Sequence, residues 1–181
     1  TFQIIQILMR KNLLIFLLLC LLTMGAQAQL KPRVVILTDI GQPDLEPDYT
    51  ESLVHLLCYA DQLEIEGIIT STGWNCDPYP TKSAAYRDSV VEAYGADVHN
   101  LMKRSDQMAF LSLEKENGCQ EMGYWPSVEY IRSRSVMGSQ RAGIKVIGSD
   151  NDSEGSELII RLADEKDERP IWVWAWGGAN T

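Results

Sequence analysis

Beyond Gln29 the sequence has no cluster of lysine or arginine, and its formal charge is -9 with a pI near 4.7. Neutralising phosphates takes a basic face, so nucleic acid is not expected as a partner. Histidine is nearly absent: His55 and His99 stand isolated, and a surface or structural role is the simpler reading of each. No CxxC or Cys/His spacing suggests zinc. Long apolar runs are also scarce. The one from Leu13 to Leu22 is shorter than the roughly 18 to 20 residues a spanning helix needs, and nothing later reaches that length.

That run carries information nonetheless. Met9-Arg10-Lys11 precedes it, and Ala26-Gln27-Ala28 follows before Gln29, the charged, apolar and small-x-small parts of a secretory signal peptide. Translation is expected to start at Met9, with 1–28 as upstream residues plus signal. A soluble, exported protein is expected, with no membrane contact after cleavage. About 150 residues then remain, the size of one ordinary domain. Cys58, Cys76 and Cys119 are left. Cys58 falls on the apolar side of a helix and reads as a core thiol, whereas Cys76 and Cys119 lie in loop-like sequence and can pair in an oxidising compartment.

Residues 33–38 form an apolar run rich in β-branched residues, expected of a strand buried on both faces. Leu53, Leu56, Leu57 and Ala60 then recur at helical spacing over 50–60. A second strand is expected over 64–71 and a second helix over 84–94, with Tyr86, Val90, Val91 and Tyr94 as its apolar stripe. Short helical pieces around 98–103 and 127–134 read as an excursion over the sheet edge. An amphipathic helix over 157–162 and a charged turn over 165–169, read as solvated, lead to a third, buried strand over 171–175. This βαβα order predicts an α/β fold, a mostly parallel sheet with helices on both faces. The last residues read as a turn and the start of a helix, as if the chain were cut off in mid-fold.

The acids are not scattered. Asp39 ends the first strand, and Asp44, Glu46 and Asp48 follow before the helix. Unpaired buried charge costs several kcal/mol, so carboxylates at a strand's carboxyl end point to a cation or a polyhydroxylated ligand; a solvated loop capping the helix is the plainer alternative. In a parallel sheet the strand ends share one edge, where ligands bind. Thr38-Asp39-Ile40-Gly41, Thr70-Ser71-Thr72-Gly73-Trp74-Asn75 and Trp176-Gly177-Gly178-Ala179-Asn180 are expected to converge there.

Five blocks in order, 35–41, 46–54, 65–69, 152–160 and 176–181, resemble the nucleoside hydrolase-like domain of secreted bacterial proteins, some of which carry a cellulose-binding label. Through that family the chain is similar, more distantly, to the calcium-dependent inosine-uridine nucleoside hydrolases, with a Rossmann-like fold. The resemblance implies that Asp39 binds calcium and helps activate the attacking water, that Asp48 holds sugar hydroxyls, and that Trp176 offers its backbone carbonyl to the metal. The second member of the family's aspartate pair falls on Tyr49, a poor substitute for a carboxylate in a calcium shell. Asp44, five residues after Asp39, is the candidate compensation.

Asn75, Asn180 and Trp74 are candidate sugar contacts. Trp125 and Trp176 also offer rings that stack on sugar faces, whereas Trp172 and Trp174, inside a strand, read as core. The function expected is hydrolysis of N-glycosyl or related glycosyl bonds of a small nucleoside or carbohydrate at a calcium-and-aspartate site. The alternative is a non-catalytic, cellulose-type carbohydrate-binding protein on the same scaffold.

Overall fold

The computed structural model describes residues 29–42, 46–73 and 79–181; the segment 1–28, with its signal-peptide features, lies outside them. Four strands form one parallel sheet: β1 (Arg33–Thr38), β2 (Glu64–Thr70), β3 (Ser135–Met137) and β4 (Ile171–Ala175), in the order β3-β2-β1-β4. The helices are α1 (Asp48–Leu57), α2 (Ala84–Arg104), α3 (Leu113–Glu116), α4 (Val128–Ser133) and α5 (Glu154–Asp164).

Alternation along β1 divides the core. Val34 and Ile36 point to one face, where Leu53 and Leu57 of α1, Val91 and Val98 of α2 and Ile131 of α4 close over them. Val35 and Leu37 point to the other, against Leu158 and Leu162 of α5. Both faces are therefore covered, which is why β1 and β2 are buried along their whole length.

Helix α2 runs 21 residues and absorbs the separate helical piece expected around 98–103. Val98 and Met102 extend the buried stripe of Val90, Val91 and Tyr94, and this packing outweighs the roughly 1 kcal/mol that Gly95 costs a helix interior. Helix α5 starts at Glu154, earlier than apolar spacing alone suggests, because Ser153 caps it: its hydroxyl accepts from Ser156 N at 3.1 Å, and Ser156 Oγ accepts from Ser153 N at 2.8 Å.

Three expectations are corrected. Cys58 follows the last turn of α1 and is exposed, with a free thiol, because the helix turns its Leu53-Leu56-Leu57 stripe inward and not this position. Cys119 stands beside Asp167 at 3.6 Å, with no disulfide among the described residues, and its candidate partner Cys76 lies outside them. Strand β4 is not buried. It pairs only with β1 among the described residues, so Trp172 and Trp174 are 56% and 36% exposed rather than core.

The charged run 165–169 is not simply solvated either. Glu165 and Asp167 pair with Arg33, which also holds Glu66 at 2.5 Å, while Arg169 bridges Asp167 at 2.6 Å and Glu64 at 2.7 Å. Arg33, Glu64 and Glu66 are almost wholly buried at the amino ends of β1 and β2, where an unpaired charge would be costly. The Arg169 guanidinium holds the Asp167 carboxyl well below the usual carboxylate range.

Lys31, fully buried beside this network, donates from Nζ to Ala60 O (2.7 Å), Gln120 Oε1 (2.9 Å) and Tyr124 O (2.6 Å). Burial pulls its pKa down from 10.5 to about 7, with Glu64, Asp61 and Glu116 acting the other way. Because the folded pKa is the lower one, the unfolded chain binds more protons between these values, and stability attributable to Lys31 rises with pH across that window. Urea midpoints of the protein and its Lys31→Met variant should therefore diverge in favour of the native lysine between about pH 7 and pH 10.

Candidate functional site

The sheet order reverses at β1. From β1 the chain steps to β2 and β3 on one side, then returns to place β4 on the other, so the crevice between the carboxyl ends of β1 and β4 is a topological switch point. Asp39 leaves β1 there, and Gly177 leaves β4. The Trp176 N–H donates to Leu37 O at 2.9 Å, extending the ladder one residue beyond β4 and setting Gly177 against the Asp39 carboxylate.

Two glycines from different strand ends wall that carboxylate. A Cβ at Gly73 would fall 1.7 Å from Asp39 Oδ2, and one at Gly177 would fall 2.0 Å from Oδ1 and 2.6 Å from the Tyr49 hydroxyl. Only glycine lets the backbone approach this closely. Asp39 is 5% exposed, and its Oδ1 has no hydrogen-bond partner among the described residues. A buried carboxylate oxygen left unsatisfied costs stability, and such an atom at a ligand-binding edge is a reactive or recognition group in waiting. Burial raises the Asp39 pKa; hydrogen bonds from backbone and from the Tyr49 hydroxyl pull it back, and Asp48 pushes it further up. The Tyr49 phenol is itself pushed up by burial and by the neighbouring acids Asp39 and Asp48.

The expected convergence of three strand ends is present. Ser71 N donates to Thr38 O at 3.0 Å, Ser71 Oγ to Gly178 O at 2.5 Å, and Asn180 Nδ2 to Thr72 O at 2.9 Å. Asn180 thus spends one of its two amide N–H donors on the protein and keeps the other, with its side-chain oxygen, for a ligand. Asp48 is exposed in the first turn of α1, two residues earlier than that helix was expected to begin. Trp176 is half-buried, its ring packed with Tyr49 against the core on the α1 face. Trp125 is core, its Nε1 donating to Ser105 Oγ at 2.9 Å, and is not available for stacking. Asp44, Trp74 and Asn75 lie outside the described residues.

One contributor escapes a reading by periodicity. Strand β3 is three residues long, and the turn after it joins the same edge: Gly138 N donates to Thr70 O at 2.8 Å, Thr72 N to Ser139 O at 2.9 Å, and Ser139 N to Asn180 O at 3.0 Å. The only signal is the pair Val136-Met137 before Gly138-Ser139.

Calcium takes six to eight oxygens, several from carboxylates. The unpartnered Asp39 oxygen suits a cation, but a phenol stands beside it where a second carboxylate would be. Among the described residues no three acidic, histidine or cysteine side chains gather closely enough to hold a metal. The described residues by themselves do not fit calcium. Replacing Tyr49 with aspartate should create the missing ligand. The Tyr49→Asp variant is then expected to gain a calcium-dependent rise in thermal midpoint that exceeds any in the native protein, measured with and without chelator.

A family model described as cellulose-binding Sde182, nucleoside hydrolase-like domain matches residues 33–181. Among solved structures, a nucleoside hydrolase-related hypothetical protein from Saccharophagus degradans, described as associated with carbohydrate metabolism, is 34% identical with a TM-score of 0.61. The match covers 83% of this chain but 31% of that one, so the chain spans about a third of the relative's length. No curated protein matches.

Proposed function

Because this chain belongs to the family of the cellulose-binding Sde182, nucleoside hydrolase-like domain, we propose that it binds carbohydrate at the carboxyl edge of its sheet, with Asp39 and Tyr49 as the polar centre. The observation that carries this reading is the buried, unpartnered Asp39 oxygen beside the Tyr49 hydroxyl. A carboxylate accepts and a phenol both donates and accepts, which suits the vicinal hydroxyls of a sugar without a metal between them. Asp48 on the rim and the side-chain oxygen of Asn180 add acceptors. The acidity of the chain favours a neutral polar ligand over an anion.

A second reading keeps the same residues in a hydrolase of N-glycosyl or related glycosyl bonds. Its support is the raised pKa of Asp39, which brings a carboxylate toward the range useful to a general base. Asp39 would accept a proton from water as that water attacks an anomeric carbon. No described residue is assigned the protonation of a leaving group.

Binding of the intact protein to insoluble cellulose and to soluble cello-oligosaccharides, set beside a release assay with inosine, uridine and the same oligosaccharides, separates the two. Retention on cellulose without turnover supports the binding protein. Turnover of either substrate class supports the hydrolase. Neither binding nor turnover would overturn both.

A further inference from the structure

A cavity of about 530 Å³ opens at the same sheet edge, on the side of β3 and α5, and of its walls only Ser139 and Asn180 have been given a part above. Its walls include Arg141, Ile147, Asn151, Asp152, Asn180 and Thr181. We propose that this cavity is a second carbohydrate subsite, which holds the further units of an oligosaccharide whose first units sit at Asp39. The proposal rests on the carbohydrate reading of the Asp39 site and extends it to ligand length.

The segment 177–181 connects the two places. Gly177 touches Asp39 beyond β1, Asn180 is bound to Thr72 beyond β2, and Ser139, beyond β3, donates to Asn180 O. Adjacent strands lie about 4.8 Å apart, so the path from β1 to β3 covers on the order of 10 Å. That distance is longer than one sugar ring.

The lining also selects a ligand class. Arg141 and Asp152 place one charge of each sign around the cavity, so it offers no net field to an anion or a cation. Asn151 and Ser149 add neutral donors and acceptors. Ile147, 75% exposed, adds an apolar surface for the C–H face of a ring. None of the described lining residues is aromatic, so among them a nucleobase finds no ring to stack on. The volume falls within the usual range for small-ligand sites, about 300 to 1,000 Å³.

The test is calorimetric titration of the intact protein and its Asn151→Ala, Asp152→Ala and Asp39→Asn variants with cellobiose and with cellotetraose. The native protein should bind cellotetraose at least tenfold more tightly than cellobiose. Asn151→Ala and Asp152→Ala should each remove most of that gain while leaving cellobiose affinity unchanged. Both side chains are exposed, and an unchanged thermal midpoint verifies folding. If cellobiose binds in an Asp39-dependent way but cellotetraose binds no better, or if both cavity variants retain the gain, the subsite is overturned and the Asp39 reading stands. If neither sugar binds, both fall together.

Discussion

Replacing Asp39 with asparagine is expected to weaken carbohydrate binding at least tenfold, about 1.4 kcal/mol, while leaving the protein as stable as before or more so. Affinity electrophoresis in soluble cellulose derivatives and thermal midpoints measure the two effects. Ligand affinity should fall because the amide presents a donor where the carboxylate offers two strong acceptors. Stability should hold because burial has raised the Asp39 pKa above its unfolded value. A carboxyl with a raised folded pKa stabilises the fold when protonated and loses that contribution as pH rises through the folded pKa. Wherever that carboxyl is ionised the native protein carries a charge that its interior disfavours, and the neutral amide removes it. A variant that loses stability and binding together would mark Asp39 as a structural residue and sink the functional assignment.

Gly178→Ala should have the largest effect on folding. A Cβ there would lie 2.5 Å from Ser71 O and 2.8 Å from Thr38 C, both backbone atoms held in the sheet. Neither moves as a side-chain tip can, so the ends of β1 and β2 must separate from the 177–181 segment. Overpacking at such a place costs about 3 kcal/mol or more. The variant should show a urea midpoint far below that of the native protein, or fail to accumulate as folded material. Near-native stability would mean that this segment does not seat on the strand ends.

Much of the architecture is legible in the sequence because the central strands are buried on both faces. Residues 33–38 announce themselves as an uninterrupted β-branched run, and the structure places β1 on those same residues. Strand β2 and the starts of α1 and α2 follow within two residues of their periodic signals. Strand β3 is illegible because three residues give no period to read. The exposure of Trp172 and Trp174 is illegible for another reason: a strand's composition does not say how many neighbours it has. The charged run 165–169 misleads because its partners, Arg33 and Glu64, lie more than a hundred residues earlier.

At the site, the convergence of strand ends can be read from local sequence, since it follows from one βα unit repeated. The glycine walls around Asp39 cannot, because Gly73 and Gly177 meet it only after three segments pack.

The tryptophans of β4 and its extension have one more consequence. Trp172, Trp174 and Trp176 lie at alternate positions on one face of the sheet, from an exposed ring at the far end to a half-buried ring that packs, as Tyr49 does, against the core, one residue before the Gly177 that walls Asp39. Indole emission depends on polarity and on nearby charge, so the outer rings should respond to a soluble quencher and the inner one to whatever enters the crevice. The protein carries an optical gauge of its own occupancy, and a shift of emission on adding sugar reads out the site without a label.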